Sequence, residues 1–189
     1  YDTIALKEQK SSKTRNRVKT PDDLRSIYGA IVSIDYVSKS WSTAGITSAV
    51  IGNGITSVGG GILRNASSLT SVSIPGTVTS IWDGAFEGCT ALPRITIPGS
   101  VKYIYEYAFK DCSNLRSITF EGSAPSFIDE AVFSGVTATC YYPITDASWT
   151  AEKMQQYGGN ITWEGYDPCE GGHTYVDFIC SVCGSSVHT

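Results

Sequence analysis

Apolar residues recur along this chain at an interval far longer than a helical turn or a strand alternation. Four segments align: ITSAVIGNGITSVGGGILRNASS (46–68), LTSVSIPGTVTSIWDGAFEGCTA (69–91), LPRITIPGSVKYIYEYAFKDCSN (92–114) and LRSITFEGSAPSFIDEAVFSGVTA (115–138), with a period of 23 that becomes 24 in the last. A fixed period of this length marks stacked supersecondary units, none of which can bury its apolar face alone. The columns Ile46/Leu69/Leu92/Leu115, Ala49/Val72/Ile95/Ile118 and Ile51/Ile74/Ile97/Phe120 predict one short strand per coil. Ile55/Val78/Val101 with Val58/Ile81/Ile104/Ile128 predict a second extended piece. A Gly or Pro-Gly turn separates the two, and Pro75 and Pro98 end the first strand because they lack the N–H that a continuing ladder needs. Each coil closes on Leu63, Phe86, Phe109 or Phe133 beside Ile62, Ala85, Ala108 or Val132, a large side chain next to a smaller one on a tight helical or 3₁₀ turn. The pattern therefore predicts a repeat solenoid over 46–138, mostly β, of about four 23-residue coils.

The run LTSVSIP followed by VTSIWDGAFEGC resembles the BspA-like leucine-rich repeat family, whose units read L-x-x-I-x-I-P, then V-x-x-I-x-x-x-A-F-x-x-C. The first copy departs from it by placing Ile62–Leu63 at the Ala-Phe pair and Ala66 at Cys, and the fourth loses the Pro and gains a residue. The resemblance implies a right-handed leucine-rich repeat superhelix that displays a binding surface. It also implies a bacterial cell-surface or secreted protein, adhesins among them, with a protein or glycan partner on a cell or host surface and no catalytic residue.

On either side the pattern weakens. Residues 1–20 read as a basic leader or linker, and 21–45, with Leu24, Ile27, Ile31, Ile34 and Val37, as a degenerate N-terminal cap coil. Residues 139–165 read as a C-terminal cap: 147–157 has a helical composition, opened by Asp146 or Ser148 and closed by Gly158–Gly159, and Asn160–Trp163 returns as a final strand. Residues 166–189 form a separate tail containing Cys and His. The chain begins at Tyr1 rather than Met, which predicts that a preceding segment, such as a signal peptide, lies outside it.

Composition narrows the classes. Ser and Thr number 43 of 189 residues while Met appears once, which suits strands and turns better than helices. No apolar run approaches a membrane span. Seven of the 14 Lys and Arg residues fall within the first 25, without interleaved aromatics, and the rest of the chain carries net charge −7, so a nucleic-acid partner is disfavoured.

Candidate chemistry is sparse. The outward position after the second extended piece reads Gly59, Trp82, Tyr105 and Asp129, and with Tyr103 and Tyr107 nearby, four rings are expected on one flank. Trp82, Tyr103, Tyr105 and Tyr107 are thus the candidate ligand-binding residues, a platform for a protein or a sugar; the alternative is that rings one coil apart stack to protect the flank. Cys89 and Cys112 share a column with Ala66 and Val136, so the position asks for a small apolar side chain, and parallel inward Cβ vectors oppose a disulfide. Cys140 has no evident column mate. In the tail, Cys169, His173, Cys180 and Cys183 show the spacing C-x3-H-x6-C-x2-C, a donor set suited to a structural tetrahedral zinc, with His188 as an alternative to His173; an oxidised cysteine pair is the competing reading. The only histidines are His173 and His188, no Ser or Cys lies in a nucleophile motif, and Gly59–Gly60–Gly61 reads as a turn inside a repeat, so no enzyme is expected.

Overall fold

The computed structural model describes residues 46–169 and Thr43, together with the backbone of three short strand segments at 3–6, 175–176 and 179–180. In chain order the strands are β1 (Thr3–Leu6), β2 (Ser48–Ile51), β3 (Ser57–Val58), β4 (Ser71–Ser73), β5 (Ser80–Ile81), β6 (Arg94–Ile97), β7 (Tyr103–Ile104), β8 (Ser117–Phe120), β9 (Ser126–Phe127), β10 (Thr137–Pro143), β11 (Asn160–Tyr166), β12 (Tyr175–Val176) and β13 (Ile179–Cys180). Apart from β1 and Thr43, the basic leader 1–20 and the segment 21–45 lie outside the described residues.

Alternation of small polar and β-branched residues makes the first wall. In β6 and β8 the inward members Ile95, Ile97, Ile118 and Phe120 are buried, while Arg94 and Thr96 face solvent. All pairing in this wall is parallel and in register by repeat, in the orders β1-β2-β4 and β6-β8-β10-β11. The second wall is the parallel set β3-β5-β7-β9. Between these walls Gly99 and Gly122 meet back to back: a Cβ on Gly122 would stand 2.6 Å from the Cα of Gly99, so the corner between those coils has room for glycine alone.

The third wall is the closing turn, built from two interleaved kinds of hydrogen bond. In the first coil the N–H groups of Ile62, Arg64 and Ala66 return to carbonyls three residues back, while those of Gly61, Leu63 and Asn65 donate to Asp83, Ala85 and Glu87 of the next coil. The second coil repeats the scheme, with Gly84, Phe86 and Gly88 donating to Glu106, Ala108 and Lys110. Such alternation needs left-handed backbone at two columns, Gly61/Gly84/Tyr107 and Asn65/Gly88/Asp111/Gly135, where φ lies between 56° and 77°. Asn and Asp tolerate this conformation; Tyr107 holds it at a cost of about 1–2 kcal/mol.

Inside, Phe86, Phe109 and Phe133 form a continuous stack at 5.4 and 5.7 Å between ring centroids. Hydroxyls tie successive coils together: Thr70, Thr77, Thr79 and Ser100 each donate to a backbone carbonyl 22 or 23 residues earlier. The stack ends on Phe120, Phe127, Trp149, Tyr157 and Trp163, whose rings contact one another where a further aliphatic layer would otherwise be needed.

Three sequence expectations need correction. Phe127 pairs with Ile104 and packs against the core, whereas Ile128 is exposed, so the extra residue of the fourth coil falls after 128 and not before it. A slip of one residue exchanges the two faces of a strand. Cys140 does have column mates: it lies between Ile118 and Trp163 in the first wall, and the ladder continues beyond 138 through β10 and β11. The stretch 147–157 forms turns instead of a helix. Asp146 accepts from the N–H of Ser148, and Lys153 and Met154 both donate to Thr150, but Trp149 and Tyr157 must each reach the core, which leaves too few residues for helical propagation.

Cys89, Cys112 and Cys140 are buried free thiols. The Cys89 and Cys112 thiols donate to the carbonyls of Leu63 and Phe86, at 3.2 and 3.0 Å. A hydrogen bond to the Cys112 side chain, then burial, pushes the Cys89 thiol far above its ordinary 9.0, and burial alone does the same to Cys140. The folded state holds the Cys89 and Cys140 thiols neutral while the unfolded chain ionises near 9.0. Their contribution to stability is therefore complete below that pH and is lost as pH rises above it. A thiol titration with an aromatic disulfide should find Cys89, Cys112 and Cys140 unreactive in native protein at pH 8 and reactive in denaturant, and urea midpoints should fall as pH climbs past 9.0.

Candidate functional site

Each second-wall strand is two residues long, and its inward residue fixes what faces out. Ile81 inward puts Ser80 and Trp82 outside, Ile104 does so for Tyr103 and Tyr105, and Phe127 for Ser126 and Ile128. Two outward columns result, Ser57/Ser80/Tyr103/Ser126 and Gly59/Trp82/Tyr105/Ile128. The Trp82 and Tyr105 rings lie face to face, 4.4 Å apart and 5° from parallel, and Tyr103 leans against Tyr105 at 6.4 Å. Stacking does not hide them: Trp82 is 43%, Tyr103 44% and Ile128 51% exposed. Tyr105 is partly exposed between its neighbours.

Tyr107 stands apart from these columns. It opens the closing turn, with the Lys110 ammonium 4.8 Å from its ring centre, and a hydrogen bond with Glu106 followed by the Glu106 charge raises its hydroxyl above the ordinary value. Ile128, by contrast, belongs to the ridge although the sequence reading placed it in the core; the 24-residue spacing of the last copy signals one extra residue without saying where it enters.

Acids border the ridge, with Asp83 and Glu106 following Trp82 and Tyr105, and Asp129 following Ile128. Beyond them a column of alternating sign crosses three coils: Arg64 meets Glu87 at 2.8 Å and Asp83 at 3.8 Å, and Lys110 meets Glu87 at 3.9 Å. Such partly exposed pairs contribute less than about 1 kcal/mol each, but their alternation disfavours a shifted coil register.

Of the tail's expected ligands, only Cys169 is described in full. It is buried, and its N–H donates to the Asp167 carboxylate at 2.8 Å. Cys180 is placed as backbone in β13, which pairs antiparallel with β12; its side chain, His173, Cys183 and His188 lie outside the described residues.

A family model for the BspA type leucine rich repeat region matches residues 37–146 as six copies, more than half of the chain. The chain belongs to the BspA-type leucine-rich repeat family. The match reaches past both ends of the segment legible as repeats, in keeping with the extra coil that β10 begins. A leucine-rich repeat protein of Bacteroides ovatus ATCC 8483 is similar in fold, with a TM-score of 0.52, 23% identity, and coverage of 65% of this chain and 31% of that one. The T. pallidum leucine-rich repeat protein is 16% identical with a TM-score of 0.49, over 63% of this chain and 56% of that one. A leucine-rich cell surface protein from Faecalibacterium prausnitzii A2-165 is 25% identical with a TM-score of 0.42, over 52% and 36% respectively. This chain thus spans about a third of the B. ovatus protein's length. No curated protein matches it.

Proposed function

We propose that this chain is a non-catalytic module of a bacterial surface or secreted protein, and that it binds a protein partner on a host or neighbouring cell through the second-wall ridge. The observation that carries the reading is the row Trp82, Tyr105 and Ile128, with Tyr103 beside it: large side chains kept in solvent on a wall whose other outward positions are Ser or Gly. Trp and Tyr supply rigid contact area at little entropic cost and dominate interface hot spots. The acids along the border suit a partner that brings Lys or Arg to the rim. Membership of a repeat family built to display a surface supports the binding role and the extracellular placement. No helix among the described residues is long and apolar enough to cross a membrane. The Cys89 and Cys140 thiols are held protonated within the core, away from the ridge.

Binding of labelled protein to intact host epithelial cells tests this. Saturable binding should be abolished by protease treatment of the cells, and it should weaken by about tenfold or more in Trp82→Ala and in Ile128→Glu, with melting temperatures close to the parent's. Undiminished binding by both variants would exclude the ridge as the docking surface.

A further inference from the structure

The ridge has an unfilled position. Trp82 stacks on Tyr105 with one face, so its other face turns toward the preceding coil, where the same column holds Gly59. The register there is fixed by the N–H of Trp82 donating to Val58 at 2.9 Å and by the pairing of Val58 with Ile81. Coils follow one another at about 4.8 Å, the spacing of paired strands, so a side chain at 59 would lie against the free face of Trp82 as Tyr105 lies against the other. Glycine leaves that space open, and the exposure of Trp82 at 43% is that of a ring covered on one side. The result is a recess with Gly59 as floor and the free indole face as its wall among the described residues.

Its edges are polar on both sides. Ser57 and Ser80 occupy the neighbouring outward column, and Asp83 follows Trp82 on the other, its side chain 56% exposed. Gly60 puts no side chain opposite Asp83. A flat apolar face bounded by hydroxyls and a carboxylate fits a pyranose: the C–H face packs on the indole while equatorial hydroxyls bond at the rim. The Arg64 guanidinium near this edge is engaged by Glu87 and Asp83, and with Glu106 and Asp129 added the acids outnumber Arg64 and Lys110. Anionic sugars are therefore disfavoured. We propose that the slot formed by Gly59 and the open face of Trp82 is a binding subsite for a single neutral pyranose unit of a glycan. It goes beyond the protein-docking reading, although it uses one end of the same ridge.

The test is a glycan array probed with the whole chain, followed by titration with methyl glycosides of glucose, galactose and N-acetylglucosamine. Neutral saccharides should bind, sialylated and sulfated ones should not, and Trp82→Ala should weaken binding by about tenfold or more. The deciding variant is Gly59→Trp. Position 59 does not use left-handed backbone, so a side chain is not strained there by φ, and an indole at 59 is expected to take the place against the free face of Trp82. It should abolish saccharide binding while the melting temperature holds or rises. An array without neutral-saccharide signal, equal binding of anionic glycans, or saccharide binding that survives Gly59→Trp would each overturn the subsite. If the array is blank while protease-sensitive cell binding still requires Trp82 and Ile128, the slot fails and the ridge reading stands. Saccharide binding blocked by Gly59→Trp, with cell binding indifferent to Ile128→Glu, sustains the slot and removes the protein-docking ridge.

Discussion

Phe109→Ala is expected to destabilise the protein by about 3–5 kcal/mol, read as a shift of the urea midpoint at unchanged denaturant slope. The ring is wholly buried and stacks on Phe86 at 5.4 Å and Phe133 at 5.7 Å, so truncation opens a cavity between coils, with no surface nearby to collapse into it. In a stacked array each coil is held only by its neighbours, and this one deletion weakens both of the third coil's interfaces. Thr96→Ala, on the solvent side of β6, should stay within about 0.5 kcal/mol and serves as the control. Equal midpoints for the two variants would refute the closing-turn register.

A second pair of substitutions separates two adjacent residues. Phe127→Ala should cost about 3 kcal/mol, because the ring lies 4.3 Å from Tyr157 and 5.8 Å from Phe133, centre to centre, within the aromatic end of the core. Ile128→Ala should cost much less, about 0.5 kcal/mol, since half of the residue is already exposed to water. The repeat pattern taken alone leads to the reverse order, so denaturation of both variants measures directly where the fourth coil takes in its extra residue.

That residue shows where a sequence of this kind stops being readable. The period locates every inward column in the first three coils, because burial there demands the same residue type each time. In the fourth coil it demands only something apolar, and Phe127 and Ile128 both qualify; identity with Ile81 and Ile104 favours the wrong one. A second change of length hides the fifth coil. The six residues from Cys112 to Ser117 correspond to the four from Val136 to Thr139, so the connecting turn is gone and β10 begins at once. Cys140 therefore follows Ile118 by 22 residues, outside the interval that self-comparison seeks. The left-handed columns are obscured in a different way: Asn65, Tyr107 and Asp111 stand where other coils use Gly, and no residue type marks the position. Of the candidate site, strand alternation alone gives Trp82, Tyr103 and Tyr105; Ile128 is lost to the same slip, and Tyr107 is set apart by a backbone angle. The significance of Gly59 depends on the ring-to-ring geometry of its neighbours, which only the fold supplies.

The inter-coil bonds of the closing turns all run one way. Gly61, Leu63 and Asn65 donate forward, then Gly84, Phe86 and Gly88, then Phe109 and Asp111, and finally Phe133 to Tyr157, with every accepting carbonyl turned back toward the preceding coil. Ordinary sheets largely cancel their peptide dipoles; here the dipoles of one wall add from coil to coil along the axis. Over the described coils the solenoid is electrically polar, with partial negative charge toward the first of them and partial positive charge toward the last. Both ends carry a matching group: Thr43 donates its hydroxyl proton to the carbonyl of Arg64 at 2.7 Å, and the Asp129 carboxylate accepts from the N–H of Ala131 at 2.7 Å. Any coil joined to this stack must present N–H groups at the near end or carbonyls at the far end, so the array can be extended in only one sense.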